Sequence, residues 1–543
     1  MLFLFRKKYT IYQSKLEKLK KDYITLKDID NIKINNLKYI IKQLLVLNLK
    51  ELKAIFILMN IKHYKKKYNQ KYYEYKILQS KELFDNVLGY PLDSEQRKAI
   101  LNKEWNTLIL AGAGSGKTLT MIGKVLYLLN EGIKPEEILV ISFTNTSVNN
   151  FSDKIKRYSA NIDVFTFHKL GLNIIKDKDI KVRISKDNLL SDIMCKYNIK
   201  KEEQKLISTF IHLFKSKNLD DSYFNKFISK CKNNKERYEL IKLIQKIYSE
   251  YKKFLIQKEL IDFEDMINLA YKLIDEKSFI KKYKYILVDE YQDTSLIKFN
   301  LLKKILEISN SKLVVVGDDW QSIYRFTGCE VKIFLDFKKL LPYSNIVCIN
   351  NTYRNSQQLI NVASKFITKN PYQLKKDIKS NKSLNNPIQI ILYSEFNNAL
   401  EYVINKIVGT FFNKEILILG RNNNDINLLD KNIFKIIDDK IEYKNIKIKY
   451  MTAHKSKGLE SDNVIIINLE NKTNGFPSKI LNHEILSLVS SEKENYIFDE
   501  ERRLFYVALT RTKNYVFLLS PKKNISLFVQ ELLEESNVKV TKI

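Results

Sequence analysis

The amino-acid sequence predicts an α/β protein with two lobes, each built on a parallel sheet. Short apolar runs typical of buried strands alternate with longer helix-like stretches in both halves of the chain, and this alternation favours parallel pairing. The length of 543 residues suggests three or four units of about 150 residues each. The strand-like runs are 107–110, 138–143, 285–288 and 313–316 in the first half and 388–392, 416–419, 464–467 and 515–519 in the second.

The chain divides into three regions. Residues 1–88 carry no motif and are rich in Lys, Leu, Ile and Tyr, so we expect a basic helical N-terminal extension. The first lobe is predicted at 89–345, with a helical insertion at about 170–260, where a polar, Lys-rich stretch has helical periodicity. The second lobe is predicted at 346–543.

A glycine-rich segment after the first strand-like run is a candidate phosphate-binding loop. Backbone N–H groups in such a turn can surround the phosphates of ATP, Lys117 can add a point charge, and the Thr118 hydroxyl can ligate Mg²⁺. A flexible linker is the alternative, but linkers rarely stand between a strand and a helix and end in Gly-Lys-Thr. The predicted nucleotide-binding residues are Ala111, Gly112, Ala113, Gly114, Ser115, Gly116, Lys117 and Thr118.

Two adjacent carboxylates, Asp289 and Glu290, follow the strand-like run 285–288. They are expected at the carboxyl edge of a parallel sheet, where such sheets bind their ligands. Asp289 would hold Mg²⁺, and Glu290 would orient or deprotonate the attacking water. An isolated Asp-Glu pair is usually a solvated turn, but behind a phosphate loop it indicates a hydrolytic site.

Arginine is scarce, with 11 residues among the 93 lysines and arginines. Arginines kept against such a bias are candidates for positions that need a planar, permanently charged group. Arg354 and Arg511 are predicted to reach the γ-phosphate of ATP, where such a group contributes on the order of 10³–10⁵ in rate. An ordinary surface position is the alternative and suits Arg157, Arg183 and Arg237 better.

These motifs, with others between them, resemble superfamily 1 helicases of the UvrD/Rep type over roughly residues 90–520. Within that family, 317–321, 370–376 and 474–477 are most similar to the helicase IV branch of bacteria. The further matching segments are Gln96, 143–145, 166–168, 289–293, 317–326, 353–354, 454–458 and 501–503.

The resemblance implies two RecA-like motor lobes with ATP between them, moving 3′ to 5′ along single-stranded DNA. Many relatives carry a large helical subdomain between the positions of Arg354 and His454. Here about a hundred positions separate these residues, so the second lobe is expected to hold only a reduced insertion at about 372–445.

The resemblance also implies roles for individual residues. Gln96 would read the adenine edge, Tyr353 would stack on the base, and Glu460 would contact the ribose. Gln321 would sense the γ-phosphate and link it to the DNA. The DNA-binding residues would be Phe143, Thr144, Asn145, His168, Tyr324 and Phe326.

Aromatic residues suit a motor that must grip any sequence. Stacking contributes roughly 1–3 kcal/mol per base without reading base edges, and Tyr324 and Phe326 are candidates for it. Because both alternate with polar residues, one of them could instead face the core.

Composition narrows the class of partner and the compartment. The formal net charge of +31 and the pI near 9.5 favour a polyanionic partner, although the heavy use of Lys weakens this argument. Four cysteines without a close pair argue against zinc and against a disulfide framework. The N-terminus lacks the charge order of a secretory signal and 44–59 is interrupted by charges, so we expect a cytoplasmic protein without a membrane span.

Three functions remain open. The leading hypothesis is an ATP-dependent DNA helicase that acts on single-stranded and partial duplex DNA in repair or recombination. The second is a translocase that strips proteins from DNA without unwinding it. The third is an ATP-switched factor that acts on RNA polymerase through the N-terminal extension.

Overall fold

The computed structural model describes residues 25, 27, 61–158, 160–178, 180–185, 188–275, 283–410, 415–480, 483–490 and 496–543. Most of the predicted extension 1–88 therefore lies outside the described residues. Its described end forms two helices, α1 (Ile61–Gln79) and α2 (Lys81–Asp85). Phe84 and Val87 are fully buried in a core that they share with the first lobe, so this end of the extension packs on that lobe.

The first lobe is built on a parallel sheet, as predicted. Over the described ranges its sheet has six strands in the spatial order third, second, sixth, seventh, first and eighth, and every neighbouring pair is parallel. The fourth and fifth strands form a separate parallel pair. The strands are β1 (Asn106–Ala111), β2 (Ile138–Ser142), β3 (Asp163–Thr166), β4 (Arg183–Ile184), β5 (Leu260–Ile261), β6 (Tyr285–Val288), β7 (Lys312–Gly317) and β8 (Ser344–Ile349).

Strand β8 lies at one edge of the first sheet. It pairs with β1 from Ser344 beside Asn106 to Ile349 beside Ala111. The first sheet therefore extends to Ile349. Residues 346–349 of this strand are all apolar, but most of the strand is only half-buried because it lies at the edge of the sheet.

Helices cover both faces of the first sheet. Leu108 and Leu110 of β1 join the core on one face, and Ile109 and Ala111 join the core on the other, as the two-residue period of a strand requires. The helices are α3 (Ser94–Leu101), α4 (Lys117–Asn130), α5 (Asn145–Lys156), α6 (Phe167–Lys176), α7 (Leu189–Lys196), α8 (Lys201–Ser216), α9 (Ser222–Cys231), α10 (Lys235–Gln257), α11 (Phe263–Asp275), α12 (Leu296–Ser309), α13 (Val331–Leu335) and α14 (Phe337–Leu340).

Helices α7 to α10 form a helical insertion with a core of its own. Ile207, Phe214 and Ile244 are fully buried there. Helices α6 and α11, at the edges of the predicted range 170–260, pack on each other in the core of the first lobe. The helices that share the core of the insertion run over 189–257, inside the predicted range of about 170–260, and the apolar face of α6 packs in the core of the lobe.

The second lobe also contains a mainly parallel sheet. Among the described residues its eight strands lie in the order β11, β12, β13, β10, β14, β15, β9 and β16, and only the two pairs that involve β12 are antiparallel. The strands are β9 (Ile388–Tyr393), β10 (Ile416–Gly420), β11 (Lys435–Ile437), β12 (Lys440–Tyr443), β13 (Ile446–Thr452), β14 (Ser461–Ile466), β15 (Thr512–Pro521) and β16 (Val538–Lys542). Its helices are α15 (Gln357–Ile367), α16 (Phe396–Thr410), α17 (Asp499–Leu509) and α18 (Leu527–Gln530).

The interval 372–445, where the sequence predicts a reduced insertion, holds elements of the sheet itself. Strands β9 and β10 lie within the sheet, and α16 connects them. Only the hairpin of β11 and β12 adds to one edge.

A short segment of the second lobe reaches the insertion. The 3₁₀ turn Glu484–Leu488 lies between β14 and α17, and Ile485 and Val489 are 1% exposed within the core of α7 to α10. Within the described ranges, every helix is too short or too polar to span a lipid bilayer.

Candidate functional site

The predicted phosphate loop joins β1 to α4 in a turn that requires glycine. Gly114 and Gly116 have φ angles of 71° and 77°, a region that glycine adopts at little cost. Gly116 is the N-cap of α4, so the free N–H groups and the positive end of that helix face the loop. This arrangement is suited to bind the phosphates of a nucleotide.

The segment that follows β8 closes on this loop. The Thr352 hydroxyl donates to the Ala113 carbonyl at 2.8 Å, and the Tyr353 N–H donates to the Gly114 carbonyl at 2.9 Å. A Cβ on Gly114 would lie 2.5 Å from the Arg354 Cβ. The structure therefore brings Arg354 against the phosphate loop, where the sequence predicts it.

Gln96 braces the loop in this structure. Its side chain is fully buried, its Nε2 donates to the Ser115 carbonyl at 3.1 Å, and its Oε1 accepts from the Asp93 N–H at 2.9 Å. Tyr353, in contrast, is 61% exposed, and its hydroxyl donates to Asp93. An open ring beside the loop suits the predicted stacking on a base, and the Gln96 amide keeps one N–H and one lone pair beyond these two bonds.

Glu460, the predicted ribose contact, lies at the same side of the cleft. It accepts from the Arg354 Nε at 2.8 Å and lies 3.5 Å from the Lys513 Nζ. These cations, which outweigh the effect of partial burial, hold the pKa of Glu460 below its usual range. The carboxylate is therefore ionised at neutral pH and orients Arg354.

The two carboxylates at the end of β6 fit a cation site. Burial, and then the neighbouring Glu290, raise the pKa of Asp289 to about 7, while Lys117 opposes the shift. A buried carboxylate of this kind gains strongly from a bound cation, so the donors present fit Mg²⁺. Thr118 and Asp289 would hold the ion, which when bound neutralises charge on the phosphates.

A chain of hydrogen bonds links these carboxylates to the predicted arginine. The Gln292 Nε2 donates to Glu290 at 2.5 Å, and the Asp318 N–H donates to the Gln292 Oε1 at 3.0 Å. The Gln321 Nε2 donates to the Asp318 Oδ2 at 2.5 Å. An Arg511 N–H then donates to the Gln321 Oε1 at 3.3 Å, so the predicted residues Glu290, Gln321 and Arg511 belong to one network.

Arg511 is 1% exposed, and hydrogen bonds from its guanidinium hold it in place. Its guanidinium donates to the carbonyls of Val507 and Leu459 as well as to Gln321. Burial, and then the nearby Arg354, lower its pKa to about 9, so it stays charged at neutral pH. A buried cation without a carboxylate among its bonded partners is suited to receive a phosphate.

Three members of the site, Gln292, Asp318 and Lys457, were missed as functional residues. Lys457 lies in the second lobe, pairs with Asp293 of the first lobe and donates to the Gln321 carbonyl at 2.8 Å. All three lie in segments that carry the family resemblance. Their side-chain bonds, which the sequence does not reveal, identify their part in the site.

The predicted DNA-binding aromatics form a row on one side of the cleft. Phe143 and Tyr324 stack with ring centroids 5.6 Å apart, and Phe326 meets Tyr324 edge to face at 6.1 Å. Phe326 also contacts His454 at 5.7 Å. Tyr324 packs against the core of the second lobe, whereas Phe326 is 53% exposed. Tyr324 is therefore the one that faces the core, and Phe326 lies at the surface.

The remaining predicted DNA residues lie at the starts of two helices. The Thr144 hydroxyl accepts from the Ser147 N–H as the cap of α5, and Asn145 is exposed beside it. His168 is the second residue of α6, and burial, with Lys298, lowers its pKa to about 4, so it is neutral at pH 7.

A groove of about 1030 Å³ continues from Phe326 between the insertion and the second lobe. Basic side chains that suit a phosphate backbone line it together with three glutamates, Glu202, Glu500 and Glu501. The basic residues are Lys205, Arg325, Arg421, Lys455 and Lys479, of which Arg421 pairs with Glu501.

Comparison with known protein families identifies the family of this chain. A model described as the UvrD/REP helicase N-terminal domain matches residues 92–342, and one described as the UvrD-like helicase C-terminal domain matches 433–523. The two matches lie in one lobe each and together cover more than half of the chain. The chain belongs to the UvrD/Rep helicase family. The predicted family and enzyme class, an ATP-dependent DNA helicase, are thereby confirmed.

Individual relatives agree with this family. DNA helicase IV of Escherichia coli strain K12 is 29% identical over 531 residues, which are 89% of this chain and 76% of that protein. ATP-dependent DNA helicase Rep of Buchnera aphidicola subsp. Acyrthosiphon pisum is 29% identical over 481 residues, 83% of this chain and 70% of its own. ATP-dependent DNA helicase PcrA of Staphylococcus aureus strain Mu50 is 26% identical over 378 residues, 64% and 50% of the two chains.

In this UvrD/Rep-family chain, Phe326→Ala is expected to weaken the response to DNA. Loss of one stacked base contact, worth roughly 1–3 kcal/mol, would raise the DNA concentration for half-maximal ATPase roughly 5- to 150-fold. Tyr402→Ala, which removes an exposed ring from α16, is the matched control. Equal losses of basal and DNA-stimulated ATPase in Phe326→Ala would indicate a packing role instead.

Proposed function

We propose that this protein is a motor that hydrolyses ATP, moves 3′ to 5′ along single-stranded DNA and unwinds partial duplexes. ATP binding would close the lobes and hydrolysis would reopen them, so that alternating grip advances the strand. We propose that the protein acts in DNA repair or recombination and that it is located in the cytoplasm.

The position of Gln321 is the observation that carries this proposal. Its side chain lies in the network that runs from Glu290 to Arg511, and its carbonyl accepts from Lys457. The Lys457 Nζ also lies 4.8 Å from the centre of the Tyr324 ring. One residue thus contacts both the ATP-side network and the group next to the aromatic row, which supports coupling of hydrolysis to movement on DNA.

Strand displacement tests both the activity and its direction. Partial duplexes with either a 3′ or a 5′ single-stranded tail are incubated with the full-length protein, ATP and Mg²⁺, beside ATPase assays with single-stranded DNA, RNA and no polymer. We expect DNA-stimulated ATPase and displacement from the 3′-tailed duplex. Preference for the 5′ tail would overturn the polarity, and stimulation without displacement would favour the protein-stripping translocase. Capture of RNA polymerase without DNA stimulation would favour the polymerase factor.

Salt is expected to weaken the DNA response. The formal net charge is +31, and lysines and arginines outnumber glutamates in the lining of the groove beyond Phe326. The logarithm of the apparent DNA affinity should therefore fall linearly with the logarithm of salt concentration, with a slope of about −0.7 per phosphate contacted. Titration of the ATPase with oligothymidylate at several salt concentrations measures this slope, and a flat response would exclude phosphate contacts as the main source of affinity.

A further inference from the structure

A buried lysine of the second lobe neutralises two neighbouring aspartates of the first. Lys376 lies between α15 and β9, and its Nζ pairs with Asp318 and lies 2.6 Å from the Asp319 Oδ1. The lysine side chain is 3% exposed, and both carboxylates are fully buried. Because buried charges are stable only when paired, these three groups depend on one another.

Other contacts fix the lysine segment on the same turn. The Leu374 N–H donates to the Asp319 Oδ2 at 2.8 Å, and the Trp320 Nε1 donates to the Leu374 carbonyl at 3.0 Å. The Lys376 Nζ also lies 4.3 Å from the centre of the Trp320 ring. The ammonium is therefore held in one place by both lobes.

Asp318 passes this order on to the ATP-side network. One of its oxygens accepts from Lys376, and the other accepts from the Gln321 Nε2 at 2.5 Å. With its nitrogen bound to a carboxylate, the Gln321 amide must present its oxygen to Arg511. Burial pushes the pKa of Asp318 up, but Lys376 and the hydrogen bonds outweigh it and hold the pKa below its usual range.

We propose that Lys376 is a positioning residue for ATP hydrolysis, which acts through Asp318 to keep the Gln321 amide oriented toward Arg511. The inference deepens the proposed function and rests on it. Without the ammonium, Asp318 would take up a proton or water. A protonated carboxyl can donate to the Gln321 oxygen, so the amide could turn and release Arg511.

Kinetics of full-length variants test this role. Lys376→Met is expected to lower the DNA-stimulated kcat about tenfold, with the KM for ATP changed by less than about threefold, because the transition state depends on the arrangement more than ground-state binding does. In a Gln321→Ala background the same change should have little further effect, since the two residues act in series. Lys375→Met, at the exposed neighbouring position, is the control for loss of charge.

The two aspartates give a test that does not depend on removing the lysine. Both are fully buried and both pair with Lys376, but only Asp318 contacts Gln321. Asp318→Asn should lower kcat about tenfold, and Asp319→Asn should stay within about twofold of the unchanged protein. Equal losses in these two variants, or additive effects of Lys376→Met and Gln321→Ala, would overturn the inference. If the unchanged protein lacks DNA-stimulated ATPase, the proposed function fails instead.

Discussion

Lys117→Ala is expected to abolish ATP turnover, with a loss of at least about 10³-fold in DNA-stimulated kcat/KM. Lys117 begins α4 directly after the phosphate loop. Its charge also lowers the pKa of Asp289, Glu290 and Asp318, so it faces all three carboxylates. Without it, a bound triphosphate would meet this negative cluster with one cation fewer.

A phosphate-release assay with and without single-stranded DNA measures this loss. Lys81→Ala removes an exposed lysine from α2 and is the matched control for charge. The thermal unfolding midpoint of Lys117→Ala should stay close to that of the unchanged protein, because Lys117 is not part of a buried core. Turnover near the normal rate in this variant would remove Lys117 from the site.

Glu290→Gln should separate nucleotide binding from hydrolysis. The substitution keeps the size of the side chain and leaves an oxygen that can accept from Gln292, but it removes the carboxylate charge. Burial alone would raise the pKa of Glu290, yet Lys117 and Lys457 outweigh it and lower the pKa to about 2, so this carboxylate is ionised at neutral pH. Loss of a base that orients or deprotonates water is expected to lower the hydrolysis rate about 10²–10⁴-fold.

A binding measurement and a control variant distinguish a loss of hydrolysis from a general disruption of the site. Binding of a fluorescent ATP analogue should stay within about threefold of normal, because the phosphate loop is unchanged. Glu136→Gln, at an exposed position before β2, is the matched control. If Glu290→Gln loses binding and hydrolysis in equal proportion, its carboxylate acts in holding the site together and not in the chemical step.

The sequence predicted the parts of the fold that are buried on both faces. The run 285–288 coincides with β6, and 107–110 lies inside β1, because strands of a parallel sheet are apolar at nearly every position. Strand β8 was not among the predicted strands, although residues 346–349 within it are all apolar. Which core a helix joins, as for α6, is a tertiary property that the helical pattern does not show.

The candidate site could be predicted only where a residue lies in a motif whose chemistry is known. Arg354 and Arg511 were chosen for their rarity and family position, and the structure brings Arg354 to the phosphate loop and Arg511 to Gln321. Lys376 ends the segment 370–376, which carries part of the family resemblance, but the sequence does not show which carboxylates it pairs with. Its partners lie 58 and 57 positions earlier, and only the folded chain brings them together.

The contact of Ile485 and Val489 with the insertion limits how the cleft can open. The insertion is joined by its chain to the first lobe, yet its core includes these two side chains of the second. Separation of the lobes could expose these two side chains to water, at a free-energy cost of about 1.5–3 kcal/mol each. Alternatively, α7 to α10 could move with the second lobe while the connections near β4 and β5 bend. In the second case α7 to α10 would move together with the second lobe, although the chain connects them to the first lobe. The parallel pair β4 and β5 would then be the hinge.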